Sequence, residues 1–214
     1  IKKYGIEKLP NVILLGEINK TPIQDFKQVN DALIFDAVLL PYENSATKKI
    51  IGKVSGTIIK DAGCKVCIDY NLTIQNLKQN GVFFGKEEEL DSTGAKAKEL
   101  IDKFAIKKLP ALILSSDIDA YPEIAKSLSQ LKSKDGSYYI IESQAPYVEA
   151  ESGKLRGWAK LTLLNDSSCL ECYNVEIHKS ILARFGIAIE DERKIDANSA
   201  EGKQLIKKYD IKNV

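Results

Sequence analysis

The stretch DAGCKVCIDYN, residues 61–71, places two cysteines three residues apart directly after the strand-like run VSGTII. A second stretch, DSSCLECYN at residues 166–174, repeats this arrangement 105 residues further along the chain. The two pairs account for all four cysteines of the protein. The repeated C-x-x-C spacing therefore raises the question of whether these pairs are reactive, structural or metal-binding.

The sequence contains an internal repeat with a period of 105 residues. Shifting the sequence against itself by that length superimposes the two cysteine pairs. A second correspondence links IKKYGIEKLP at residues 1–10, IDKFAIKKLP at 101–110 and IKKYDIKNV at 206–214. Matches of this kind at a fixed period are the signature of a repeated structural unit.

The repeat divides the chain into three segments. Residues 1–50 correspond to the second half of one unit, residues 51–148 to a complete unit, and residues 149–214 to the first half of a further unit. Each half would leave sheet edges uncovered, which isolated proteins usually avoid. We therefore expect either a longer covalent array of units or head-to-tail self-association that propagates as a filament.

The complete unit has the pattern of alternating strands and helices. GKVSGTIIKD, residues 52–61, is rich in β-branched residues and predicts a strand. CIDYNLTIQNLKQNG, residues 67–81, predicts a helix that starts at the cysteines, and AKAKELIDKFAI, residues 95–106, predicts a second helix capped by Asp91 or Ser92. This alternation indicates an α/β sheet covered by helices.

The order of these motifs resembles the thioredoxin superfamily. A strand, a CxxC, a strand ending in Asp, a helix closing in [YF]-x-I-x-x-[LV]-P and a strand after that proline occur at compatible spacing. The resemblance implies an α/β fold of tandem thioredoxin-like domains, each a mixed sheet covered by helices. It also implies that Pro110 follows a cis peptide bond and faces Cys64 and Cys67. Pro10 is the matching proline of a preceding unit.

The sequence departs from the thioredoxin pattern at three places. Lys-Val and Leu-Glu stand between the cysteines where thioredoxins have Gly-Pro, and no tryptophan precedes either pair. Thioredoxins also carry a buried acid six residues before the first cysteine, where this chain has Ile58 and Leu163. A proton acceptor would therefore have to come from Asp61 or Asp166.

The CxxC spacing favours thiol–disulfide chemistry. A cysteine at a helix start meets unpaired backbone N–H groups and the positive end of the dipole, which lower a thiol pKa from about 8.5. The second cysteine can then attack the mixed disulfide and release the partner protein. We therefore expect a thiol–disulfide oxidoreductase with no metal or organic cofactor. Cys64 and Cys169 would be its nucleophiles, Cys67 and Cys172 its resolving thiols, and Pro110 would complete the first site.

Two other interpretations of the cysteines stay open. Each pair would serve equally as a small structural disulfide in a non-catalytic repeat protein, a role that suits an extracytoplasmic or cell-surface location. The four cysteines would also make a zinc ligand set, although the second pair of such a set usually follows within about 20 residues.

Charge and hydropathy exclude several classes of function. The formal net charge is +1, from 31 basic and 30 acidic side chains, which is not the electrostatic footprint of a nucleic-acid-binding protein. No apolar run approaches the roughly 20 residues that a membrane span needs. The single histidine, His178, is predicted to be a helix-surface residue. The expected partners are protein thiols or disulfides and other copies of the chain, with no nucleic acid and no membrane span in this chain.

Overall fold

The computed structural model describes residues 2–17 and 22–213, and within these ranges the chain is mixed α/β. The helices are α1 (Tyr70–Gln79), α2 (Ala95–Phe104), α3 (Pro122–Ser127), α4 (Ile177–Arg184) and α5 (Ala200–Tyr209). The strands are β1 (Lys8–Leu9), β2 (Ile13–Leu15), β3 (Phe26–Val29), β4 (Ala32–Phe35), β5 (Tyr42–Asn44), β6 (Ile50–Ile51), β7 (Lys53–Lys60), β8 (Phe83–Asp91), β9 (Lys108–Leu109), β10 (Ala111–Ser115), β11 (Tyr138–Glu142), β12 (Tyr147–Glu149), β13 (Leu155–Arg156), β14 (Trp158–Asn165) and β15 (Ala188–Asp196). No helix in these ranges is long and apolar enough to cross a membrane.

The structure divides into two compact units, each assembled from three segments of the chain. Unit 1 comprises Ile1–Ile59, Asp69–Leu90 and Ala111–Ile141. Unit 2 comprises Lys60–Ile68, Asp91–Pro110 and Glu142–Val214.

The main sheet of unit 1 has four strands in the order β11-β10-β7-β8. β7 and β10 are antiparallel, with Ile59 opposite Ala111. These residues lie at the end of β7 and the beginning of β10. The last residues of β7 and the first residues of β10 therefore lie side by side at one end of the strands. The strands contribute Val54, Ile58, Leu112 and Leu114 to a buried core that α1 joins through its own apolar side chains.

Unit 1 contains two further sheets, each of three strands. β2, β4 and β3 form one sheet in the order β2-β4-β3, and Ala32 and Ile34 of β4 pack with Ile6 in a second buried cluster. β1, β5 and β6 form the other sheet, in the order β1-β5-β6.

Unit 2 repeats part of this architecture. Its strands β9, β12 and β13 form a sheet whose order and antiparallel pairing match those of β1, β5 and β6. In both sheets a lysine ammonium lies over a tyrosine ring, 5.3 Å from the centroid for Lys8 and Tyr42 and 5.0 Å for Lys108 and Tyr147. β14 and β15 pair in parallel as a separate two-stranded sheet.

Most of the predicted elements of the complete unit are confirmed, but the predicted start of α1 and the predicted cap of α2 are wrong. α1 begins at Tyr70 and not at the cysteines, because the Asp69 carboxylate accepts the backbone N–H of Asn71 and caps the helix there. α2 is capped by Gly94 without a side-chain bond, and not by Asp91 or Ser92.

Candidate site at the two CxxC loops

The first CxxC loop, residues 61–68, connects β7 to the cap of α1 and carries a disulfide between Cys64 and Cys67 with an S–S distance of 2.05 Å. The loop is built on a turn in which the Cys64 N–H donates to the Asp61 carbonyl at 3.1 Å. The Asp61 carboxylate accepts the N–H of Gly63 at 2.8 Å. Asp61 therefore shapes the turn, and both cysteines stay half-exposed.

Asp91, at the end of β8, adds a second carboxylate to this loop. Hydrogen bonds from the Thr93 hydroxyl, from the Thr93 N–H at 2.9 Å and from the backbone of Ala62 hold the pKa of Asp91 below its ordinary range. The carboxylate thus ties the start of α2 to the loop that carries the disulfide. Asp91 corresponds to Asp196 one repeat later. The sequence predicts Asp91 as a helix cap and not as part of the CxxC site.

The segment Leu109–Pro110 lies beside the first disulfide. The peptide bond between these two residues is cis, which confirms the expectation from the resemblance. The sulfur that contacts the segment is that of Cys67, 3.9 Å from the carbonyl oxygen of the buried Leu109. The predicted contact of Pro110 with Cys64 stays a prediction.

The kind of contact between Cys67 and Leu109 depends on whether the disulfide is oxidised or reduced. In the disulfide the sulfur carries no proton, so the approach to Leu109 is a van der Waals contact. After reduction the same sulfur becomes a thiol, which is a weak hydrogen-bond donor, and the carbonyl is its acceptor. Sequence reasoning named Pro110 and not Leu109 as a site residue, although Leu109 is the [LV] position that precedes the proline in the motif.

The second CxxC loop, residues 166–175, reproduces the turn of the first. Cys169 and Cys172 form a disulfide with an S–S distance of 2.00 Å, and both residues are exposed. The Cys169 N–H donates to the Asp166 carbonyl at 3.1 Å, the same distance as in the first loop. The Asp166 carboxylate accepts the N–H and hydroxyl of Ser168 at 2.9 and 2.6 Å.

A second carboxylate also stands at this loop. Asp196 accepts the N–H of Ser167 at 3.1 Å, and its pKa lies below its ordinary range chiefly because of hydrogen bonds from Ser167. The pKa of Asp166 is lowered first by the Ser168 hydroxyl, while the negative charge of Asp196 acts in the opposite direction. Both loops therefore hold two aspartates by hydrogen bonds to the backbone.

An open cleft of about 290 Å³ lies against the second disulfide. Cys169, Cys172, Leu163 and Lys194 are among its lining residues. The residue that corresponds to Leu109 in this repeat is Val214, which lies outside the described residues.

The observed helix starts change the electrostatics that the sequence predicts. Cys64 lies six residues before Tyr70, the first residue of α1, and Cys169 lies eight residues before Ile177, the first residue of α4. The N–H groups of these helices are therefore not the source of thiolate stabilisation.

The remaining sequence candidates are the single histidine and a metal site. His178 is exposed on α4, as predicted, and its Nε2 lies 3.4 Å from the Tyr173 hydroxyl. All four cysteines are in disulfides. Across residues 2–17 and 22–213, no three His, Cys, Asp or Glu side chains are grouped so that they could hold a metal ion.

Comparisons of the chain with protein-family models, with curated proteins and with solved structures found no match in any of the three.

Proposed function

We propose that the protein is a thiol–disulfide oxidoreductase built from tandem thioredoxin-like units, and that it acts on the cysteines of other proteins. The observation that carries the proposal is the setting of the first disulfide. It is half-exposed, and its Cys67 sulfur lies 3.9 Å from the Leu109 carbonyl, next to Pro110. Accessible disulfides are the ones that exchange most readily.

The topology of unit 1 supports the tandem thioredoxin-like interpretation. The antiparallel pairing of β7 with β10 places the end of β7 beside the beginning of β10. The CxxC follows the first of these strands and Pro110 precedes the second. The two motifs that carry the resemblance are therefore adjacent, although 43 residues separate Cys67 from Pro110 in the sequence.

The exchange reaction needs only the two sulfurs and a partner dithiol. A partner thiolate attacks the Cys64 sulfur, the Cys64–Cys67 bond breaks, and its electron pair leaves on Cys67 as a thiolate. A proton from solvent then gives the Cys67 thiol, which can donate to Leu109. A second partner thiolate attacks the mixed disulfide, so the partner is oxidised and the CxxC pair is reduced. The reverse sequence reduces a partner disulfide.

A second candidate function is a non-catalytic repeat protein, assembled into filaments outside the cytoplasm, whose CxxC disulfides are local staples. The arrangement of the aspartates favours it. Asp61 and Asp91 in the first loop, and Asp166 and Asp196 in the second, bond the loop backbone and add negative charge to the loops that carry the cysteines. Negative charge near a cysteine disfavours the thiolate that exchange requires.

Reduction potentials distinguish the two functions. We would equilibrate the protein in glutathione buffers of graded ratio, trap free thiols by alkylation, and quantify them by mass spectrometry. Exchange predicts a potential for the Cys64–Cys67 pair between about −270 and −120 mV, the range of known exchange proteins, whereas a staple predicts a value below about −300 mV.

Each pair needs its own measurement. A variant with Cys169 and Cys172 both changed to serine isolates the first loop, and the reciprocal variant with Cys64 and Cys67 changed isolates the second. The oxidised protein would also be incubated with a reduced dithiol peptide. A first-loop potential below −300 mV, together with no peptide oxidation over hours, would rule out the exchange function.

A further inference from the structure

Within the described part of the chain, β14 has an unpaired edge that its counterpart in the complete unit does not have. β14 corresponds to β7 through the 105-residue repeat, and each strand is eight residues long. β7 has a neighbour on both sides, β8 and β10. Among the described residues β14 pairs with β15 alone, so one of its edges has no strand beside it.

Two side chains of β14 are also less buried than their counterparts on β7. Val54 and Ile59 of β7 are completely buried. Their counterparts on β14, Ala159 and Leu164, are only half-buried.

β2 has the complementary feature. β2 and β10 each follow the tripeptide Lys-Leu-Pro, at residues 8–10 and 108–110. β10 lies inside its sheet, whereas β2 is an edge strand in the order β2-β4-β3. Val12 and Ile13 are 48% and 41% exposed, while their counterparts Leu112 and Ile113 are 0% and 4% exposed.

We propose that β2 of one copy of the chain pairs antiparallel with the free edge of β14 of a second copy, as β10 pairs with β7. The pairing of Ile113 with Thr57 in the complete unit sets the register. In the intermolecular sheet Ile13 of one copy therefore lies opposite Thr162 of the other. An exposed edge with unpaired N–H and C=O groups is a template for such strand addition.

The backbone groups on both edges point in the required direction. The Ser55 N–H bonds Ser115 of β10, so alternate residues of β7, including Thr57, face that neighbour. Thr162, the counterpart of Thr57, therefore faces the free edge of β14. On β2 the Val12 carbonyl accepts the Phe35 N–H from β4, so the next residue, Ile13, faces away from β4.

The pairing would also complete the second CxxC site. In the complete unit the segment before β10 brings Leu109 to 3.9 Å from the Cys67 sulfur. The same geometry brings Leu9 and Pro10 of the incoming copy to Cys172, where the structure has the open cleft of about 290 Å³. The assembly does not depend on the proposed exchange function, since a structural disulfide would receive the same neighbour.

The incoming copy must displace one short segment. Residues 206–213 of the receiving copy repeat residues 1–8 of the incoming copy, so both segments correspond to the same position in a unit. Apart from Ile206 and Ile211, which are half-buried, residues 206–213 are exposed. In the incoming copy, Ile6 is buried with Ala32 and Ile34, so that segment stays in place. Deleting residues 206–214 should therefore strengthen association.

A complementation experiment tests the proposal. Ile13→Pro and Thr162→Pro each remove one N–H from a free edge, where proline is tolerated within a strand. By light scattering after size-exclusion chromatography, we expect the wild-type mass to rise above 23.8 kDa as concentration increases from about 1 to 200 μM. Each variant alone should remain a single chain. An equimolar mixture should form a two-chain complex that grows no further, because it joins one intact β2 to one intact β14.

Controls separate this contact from general stickiness. Ile23→Pro changes an isoleucine of similar exposure outside β2, and this variant should associate like the wild type. Circular dichroism checks folding, and Ile13→Lys with Thr162→Lys repeats the test if a proline variant unfolds. A wild-type chain that stays at 23.8 kDa up to 200 μM, or a folded mixture that forms no complex, would overturn the proposal.

Discussion

At the scale of single residues, the two CxxC loops share the same turn and differ in the charge of the central dipeptide. Both turns have the cysteine N–H bonded to an aspartate carbonyl at 3.1 Å. Both have a second aspartate bonded to the loop backbone. The charges that differ within the motifs are those of Lys65 in the first loop and Glu171 in the second.

We predict that the thiol of Cys64 has a lower pKa than the thiol of Cys169. Lys65 favours the Cys64 thiolate, while Glu171 disfavours the Cys169 thiolate. Two charges about 4 Å apart in water interact by about 1 kcal/mol, so each side chain should move its thiol pKa by at most about 0.7 unit. The measurement is the pH dependence of the alkylation rate, with the other loop changed to serines.

A charge exchange provides the control for this prediction. Lys65→Glu should raise the thiol pKa of Cys64, and Glu171→Lys should lower that of Cys169. If Cys169 is the more acidic thiol in the unmodified sequence, charges outside the motif dominate and the electrostatic argument fails.

At the scale of elements, the sequence predicted the order of strands and helices better than their ends. The β-branched residues identified β7, and the order of the motifs placed β8 and β10 after it. The start of α1 was missed, although Asp69 directly before Tyr70 is a capping signal. The CxxC itself suggested an earlier start than the capping chemistry permits.

The helix α5 has the side-chain cap that α2 lacks, which gives a second prediction. The Ser199 hydroxyl accepts the N–H of Gly202 at 2.9 Å. Ser199→Ala should lower the free energy of unfolding by about 1 kcal/mol, because that N–H then has no side-chain partner. Urea unfolding measures this change.

A second serine-to-alanine change is the matched control. The Ser180 hydroxyl donates to the Ile177 carbonyl within the exposed α4, and bonds of that kind add little to helix stability. Ser180→Ala should leave the free energy of unfolding nearly unchanged or raise it slightly. Equal losses for the two variants would mean that the Ser199 bond does not act as a cap.

At the scale of the whole molecule, the sequence pattern could not predict which strands pair with one another. The order β11-β10-β7-β8 depends on contacts between residues far apart in the chain, and periodicity describes only local structure. The resemblance supplied one such contact in advance, the approach of the segment before β10 to the CxxC. The expected contact joins Pro110 and Cys64, and the contact in the structure joins the neighbouring residues Leu109 and Cys67.

The proposed exchange function requires a chain that stays folded in both redox states, and the buried core of unit 1 contains no cysteine. Val54, Leu112, Leu114 and Ile118 are completely buried without any contribution from sulfur. A disulfide that closes a four-residue ring stabilises a protein by only about 2 kcal/mol in the chain-entropy model. We therefore predict that reduction leaves unfolding cooperative and lowers its free energy by about 2 kcal/mol for each pair.

Urea titrations followed by the fluorescence of Trp158, the single tryptophan, and by circular dichroism would measure the change. A variant with all four cysteines changed to serine should behave like the reduced protein. Loss of cooperative unfolding in both would mean that the loops are essential staples, because a protein that unfolds on reduction cannot complete an exchange cycle.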